Sequence, residues 1–341
     1  MRYLIPGVVL AICCVNAVAT PVPIVDFKKL IDEADLICTG TVDAVSPKGK
    51  VDHSIGGQTY KVDRKVATVR CERIYKGSLK PHEKIQVEFL DAKDISMPYQ
   101  TLGPEKSVLL LLAKADGPKE FKQINLYKWK WVVIPGSVSV DANADISEKI
   151  GAELEYTAEH EKGPVAEQAI QGLYQLDSKT RLAAAAKKGN PDSQDTLDGN
   201  VLALRIRHGD DAALDEANRL PVFESDRKGY TQWQGNILHE IGHISRTSAR
   251  PQLNKLLESR NSGLRLEASE SLKNIADKTS IPFLIECLAD HRVDAAMNCL
   301  VALCRVTNRP GPGFADFKMN QASVEKEWRE WWTQQKGKKT K

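Results

Sequence analysis

The spacing of apolar residues changes once along the chain. Between Ala34 and Val140 it follows strands. Residues 36–42 and 66–71 are rich in β-branched side chains, the second placing Ala67, Val69 and Cys71 on one side. Residues 85–89 alternate again, 108–112 form a continuous apolar run suited to a central strand, and 127–134 make a last strand before Pro135-Gly136. Several short strands divided by Gly and Pro turns predict a small all-β barrel or sandwich over 24–145, entered through a short amphipathic helix at 27–34. From Pro164 the apolar positions take a helical period, and the chain then repeats itself. A 31-residue shift superimposes Ile241, Leu272 and Leu303, and likewise Ile244, Ile275 and Val306. It also pairs Pro251 with Pro282, Leu253 with Leu284 and Leu257 with Leu288. Each unit reads as a helix opened by proline, whose missing N–H costs nothing in a first turn, followed by a turn and a second helix. One such pair cannot cover its own apolar faces, whereas stacked pairs can.

Residues 264–275 and 280–288 resemble the second and first helices of HEAT repeats. Residues 201–207 with 212–220 are a degenerate relative, and 164–176 and 182–187 are further helices, so an all-α HEAT-like solenoid is expected over 164–335. Near its end Trp328, Trp331 and Trp332 fall on one helical face and should seal the last repeat, beyond a loop at 308–313. Upstream, residues 34–42 followed by 67–77 resemble the start of exported bacterial domains of the netrin-like kind, related to tissue inhibitors of metalloproteinases. That resemblance implies an OB-like barrel. It does not carry inhibition over, because those inhibitors chelate zinc with an N-terminal Cys-x-Cys and residues 20–22 here are Thr-Pro-Val.

Composition narrows the class without naming a function. With 341 residues, 42% of them hydrophobic and 27% charged, the chain has the makings of two globular domains. Its net charge of +3 is spread out apart from a basic tail at 336–341, and with no aromatic-interleaved basic patch a nucleic-acid partner is not expected. Arg2, the apolar run 4–18 and the small-x-small stretch Ala17-Val18-Ala19 form a secretory signal with cleavage after Ala19. The expectation is export to the periplasm or exterior, with no integral membrane segment after cleavage. Removal of the leader takes Cys13 and Cys14 and leaves five of the seven cysteines. Cys38 and Cys71, on the apolar faces of two strands, are the candidate disulfide, permitted if their Cα atoms approach within about 7 Å.

One motif carries the signature of chemistry. His239-Glu240-Ile241-Gly242-His243 has the H-E-x-x-H spacing that puts two imidazoles on one helical face for Zn²⁺ and a glutamate beside a metal-bound water. Its extensions are missing: Arg246 and Ala249 stand where a glycine and a third histidine would follow, and Gly263 where a glutamate ligand would. The nearest helix carboxylates there are Glu267 and Glu270. The repeat offers a simpler account, in which Ile241 and Ile244 are the buried positions and His239 and His243 share the register of Glu270 and Asn274 on a less buried face. His239, His243, Glu270, Asn274, Val301 and Arg305 are then expected to line one surface of adjacent second helices. The leading expectation is a non-enzymatic protein or peptide binder without cofactor. The alternative is a secreted zinc metallopeptidase with His239, His243 and Glu270 as ligands and Glu240 as base.

Overall fold

The computed structural model describes residues 26–55, 58–91, 102, 103, 107–124, 130–133, 138, 141, 143–220 and 231–339. The signal expected at 1–19 lies outside the described residues. The chain opens with helix α1 (Phe27–Glu33), where Asp26 accepts a capping bond from the Lys29 amide, and its apolar face is Phe27, Leu30 and Ile31. Among the described residues six strands follow: β1 (Leu36–Ile55), β2 (Gln58–Lys76), β3 (Lys84–Asp91), β4 (Val108–Lys114), β5 (Glu120–Gln123) and β6 (Lys130–Val132). They pair in the order β1-β2-β3-β5-β4, and β4 pairs back onto β1, so the sheet closes on itself; β6 adds to β4. All pairs are antiparallel except β3 with β5.

The apolar run in β4 shows why the sheet sits where it does. Val108, Leu110 and Leu112 point into the closed sheet with Cys38, Ala67, Val69, Cys71, Val87 and Phe89. Leu109 and Leu111 point the other way, joining Ile37, Trp131 and α1 in a second core that continues into the helices. A strand buried on both faces needs no alternation, which is what its sequence has. The hairpin β1–β2 is much longer than its apolar stretches suggest, because beyond Val42 it is largely polar and is held by backbone pairing as far as Ile55 and Gln58. Shifts in its register allow the bend; Gly40 sits at one of them, where an added Cβ would meet the Arg70 carbonyl oxygen at 2.7 Å.

Helices begin at Ile146, earlier than the period change at Pro164 suggests. Helix α2 (Ile146–His160) is capped by Asp145 and precedes α3 (Gly163–Gln175), α4 (Lys179–Lys188), α5 (Gln194–Arg207) and α6 (Ala212–Ala217). Then come α7 (Gln232–Gly242), α8 (Arg250–Leu256), α9 (Ser262–Ile275), α10 (Ile281–Cys287), α11 (Val293–Thr307) and the terminal α12 (Phe314–Lys339). From α8 to α10 and from α9 to α11 the starting residues move by 31 positions, and Pro251 and Pro282 occupy the first turns of α8 and α10. Ile241, Leu272 and Leu303 are all fully buried, as are Leu253 and Leu284. Complete burial of each such leucine or isoleucine stabilises the fold by about 1.5–3 kcal/mol relative to exposure. The basic residues from Lys336 to Lys339 extend α12 by a further turn.

The helices lie in two layers. α5, α7, α9 and α11 stand side by side in one, α6, α8 and α10 in the other, and α12 packs on α10 and α11 to close the end. Trp328 is 4% exposed and Trp331 and Trp332 are half-buried, with the Arg309 guanidinium 5.1 Å from the ring centres of both Trp328 and Trp331. At the other end the helices meet the sheet. Trp131 packs against Phe27, and Gly172 of α3 leaves room for it: an added Cβ there would lie 3.1 Å from the Trp131 ring nitrogen. Glu153 of α2, only 3% exposed, receives hydrogen bonds from Arg73 and Tyr75 of β2.

The histidine face of the helical layer

Helix α7 starts with a reciprocal capping box, Thr231 with Gln234, and ends at His243. Its buried stripe is Ile237, Leu238, Glu240 and Ile241, which leaves His239 half-buried and His243 exposed on the neighbouring face. The two imidazoles lie with ring centres 4.0 Å apart, tilted by 42°. Nδ1 of His243 is 2.8 Å from the His239 carbonyl oxygen. That oxygen can only accept, so Nδ1 carries the proton and Nε2 is the nitrogen with a lone pair. Burial, and then the neighbouring His243, hold the pKa of His239 below its usual value.

Glu240 is turned away from solvent. It is 8% exposed, and its Oε1 accepts from the Tyr174 hydroxyl at 2.5 Å and from Arg207 Nη2 at 2.8 Å. Arg207 lies over the Tyr174 ring at 4.4 Å and also reaches Asp177 Oδ1 at 3.1 Å, so one knot of charge joins the ends of α3 and α5 to α7. Burial opposes the charge on Arg207, but the hydrogen bond to Glu240, together with Tyr174, the charge of Glu240 and the bond to Asp177, holds the guanidinium pKa above its ordinary value. Burial and the charge of Glu240 push the Tyr174 hydroxyl well above the usual tyrosine range. With Oε1 bound to Tyr174 and Arg207 inside the fold, Glu240 is not presented to solvent as the general base of a peptidase would be. Its role is to anchor α7.

The remaining expected residues are likewise spoken for or splayed along the layer. Both oxygens of Glu270 bind Lys273 Nζ, at 2.6 and 2.8 Å. Arg305 donates from Nε to the Lys273 carbonyl at 2.9 Å and from Nη2 to the Ala276 carbonyl at 2.7 Å, closing the C-terminal end of α9. Asn274 is exposed, and Val301 is 39% exposed. The structure therefore places His239, His243, Glu270, Asn274, Val301 and Arg305 on the less buried side of α7, α9 and α11, but it does not bring Glu270 together with the histidines as a third ligand. Among the described residues no three His, Cys, Asp or Glu side chains are grouped to hold a metal ion.

Glu267, which the sequence offers only as one of the nearest carboxylates, and a cleft beside α7 complete the surroundings. Glu267 of α9 lies across α7 so closely that a Cβ on Gly242 would sit 2.2 Å from its Oε2. Burial, and then the charge of Glu270, raise the Glu267 pKa, while His243 acts in the opposite sense. Beside His243 a cleft of about 400 Å³ opens between α5 and α7, lined by Arg207, His208, Glu240, Ser245 and Arg246. Their partners come from segments far apart in the chain, and a single-sequence period carries no signal for such pairing. Polar bonds cross the layer as well: Asn236 donates to Gln171 at 2.9 Å and to Asn200 at 2.6 Å, Ser271 to the Ile241 carbonyl at 2.5 Å, and Asn298 to Ser269 at 3.2 Å. In the closed sheet the sulfurs of Cys38 and Cys71 are 3.7 Å apart, two buried thiols in contact rather than a disulfide.

Comparison with known families agrees with the two-layer helices. Residues 225–303, which run from the segment before α7 to the middle of α11, match the profile described as HEAT repeats. No curated protein matches the chain. Among the described residues no helix is long and apolar enough to cross a membrane.

Proposed function

We propose that the protein is an exported, non-enzymatic scaffold that presents the face of α7, α9 and α11 to a protein or peptide partner. The observation that carries this reading is the side-by-side placement of three helices in a matched HEAT-repeat region, with half-buried and exposed side chains in one register. Stacked repeats build extended surfaces of this kind, and their contacts with only their neighbours leave one flank of each second helix unused by the fold. Export rests on the leader-like residues 1–19, and the periplasm or exterior is its destination. The N-terminal domain is an OB-like barrel of netrin-like type in this proposal, supported by the closed strand order and by the single parallel pair β3–β5. It serves as a second contact module, firmly docked on α2 and α3.

The test is retention of envelope proteins on the immobilised full-length chain, run in parallel with a variant carrying Asn274→Arg and Val301→Glu. Both positions are exposed, so the variant should fold. A specific protein retained by the natural chain and released by the variant supports the reading. Identical retention by both, or none by either, would sink it.

A further inference from the structure

We propose that His239 and His243 form a two-nitrogen site for a borderline divalent transition metal, Cu²⁺, Ni²⁺ or Zn²⁺, whose remaining positions are filled by water. Four features of this chain point to it. The imidazoles stand one helical turn apart on the same side of α7 with ring centres 4.0 Å apart. Two nitrogens bound at about 2.0–2.1 Å to one tetrahedral ion are separated by about 3.3 Å, with their ring centres farther apart, so the His239 ring must swing away from His243 for both side chains to reach a single ion. The bond from His243 Nδ1 to the His239 carbonyl is the outer-shell arrangement that orients an imidazole and directs Nε2 outward as a ligand. Finally, His243 is exposed, and Glu267 sets a carboxylate against Gly242, the residue before that histidine.

The same geometry separates metal binding from hydrolysis. Glu240 is held by Tyr174 and Arg207, and Glu270 by Lys273, so neither a base nor a third protein ligand is offered from these positions. With two protein ligands and several waters, the ion is exchangeable and open to a ligand from outside. Affinity should follow the order of imidazole sites, tightest for Cu²⁺. The inference stands independently of the partner-binding proposal, since it concerns the isolated protein and an inorganic ion.

The experiment is titration of chelator-stripped full-length protein with Cu²⁺ and with Zn²⁺, followed calorimetrically, alongside His239→Ala, His243→Ala and the double variant. Circular dichroism checks that each is folded, and His243→Ala, at an exposed position, serves if the half-buried His239 variant is not. One saturable equivalent is expected. Loss of either ligand should weaken it by more than the roughly 10–100-fold that removal of an outer-shell partner costs. The Cu²⁺ complex should show two nitrogen donors by electron paramagnetic resonance. An equivalent that survives in the folded His243→Ala or double variant places the ion elsewhere and overturns the proposal, as does the lack of saturable uptake by the natural chain.

Discussion

Glu267 is a carboxylate that the fold pushes against Gly242 and the charge of Glu270, and its raised pKa has a consequence for stability. Because the folded state holds the proton more readily than the unfolded chain, the contribution of Glu267 is most favourable below the ordinary carboxylate pKa and is lost as pH rises through the folded value. Glu267→Gln should therefore raise the urea midpoint at pH 7 and leave it nearly unchanged at pH 4; a variant less stable at pH 7 would contradict this. Gly40 makes a different demand. Its substitution by alanine drives a Cβ against the Arg70 carbonyl and the Val69 side chain, at 2.7 and 2.9 Å. A loss of about 1–3 kcal/mol in denaturant unfolding is expected. Cys38 and Cys71 bear on compartment. With sulfurs 3.7 Å apart, they should close into a disulfide under thiol–disulfide exchange with an oxidised small-molecule disulfide, which takes up the two electrons and both protons. Mass spectrometry of the unfolded, alkylated protein should then find that pair unlabelled. Labelling of both would show that the buried contact resists oxidation. These four residues were legible to different degrees: Cys38 and Cys71 from strand alternation, Glu267 only as a nearby helix carboxylate, and Gly40 not at all, because what it touches lies on another element.

At the level of elements, period decided most and length least. The strands with one buried face, β2 and β3, and the helices of the repeat stand where their apolar positions placed them. The remainder of β1 and β2 could not be seen, since a polar hairpin arm is specified by backbone pairing rather than by burial. Helix α2 escaped notice because Gly151 and several glutamates dilute its stripe of Ile150, Leu154 and Ala158. The register of 31 residues makes its own prediction about packing. Leu272 on α9 is the counterpart of Ile241 and Leu303 and is fully buried between its neighbours. Leu272→Ala should cost about 2–5 kcal/mol, measured by denaturant unfolding, while Asn274→Ala two positions on should change stability little. Equal effects at the two positions would mean that the repeat register is misassigned.

The whole molecule is tied together by a core that passes from α1 and the outer face of β4 through Trp131 into α2, α3 and onward to Trp328. Heating should accordingly unfold sheet and helices in one transition. Trp131→Ala removes the largest fully buried side chain at that junction, which should cost about 3–5 kcal/mol and separate the calorimetric trace into two steps. A single step of unchanged width would show that Glu153, with Arg73 and Tyr75, is enough to keep the halves coupled. The sequence by itself determined the division into an all-β and an all-α part, the repeat step, and which residues of each repeat are buried, because these follow from periodic contact with a neighbouring layer. Tertiary structure decided how the sheet closes, how it docks on α2 and α3, and what became of the H-E-x-x-H spacing. Spacing along one helix fixes which side chains share a face, but partners on other helices fix their charge and freedom. Here Arg207 and Tyr174 claimed Glu240 and Lys273 claimed Glu270, which left half-buried His239 and exposed His243 as a pair on one side of α7.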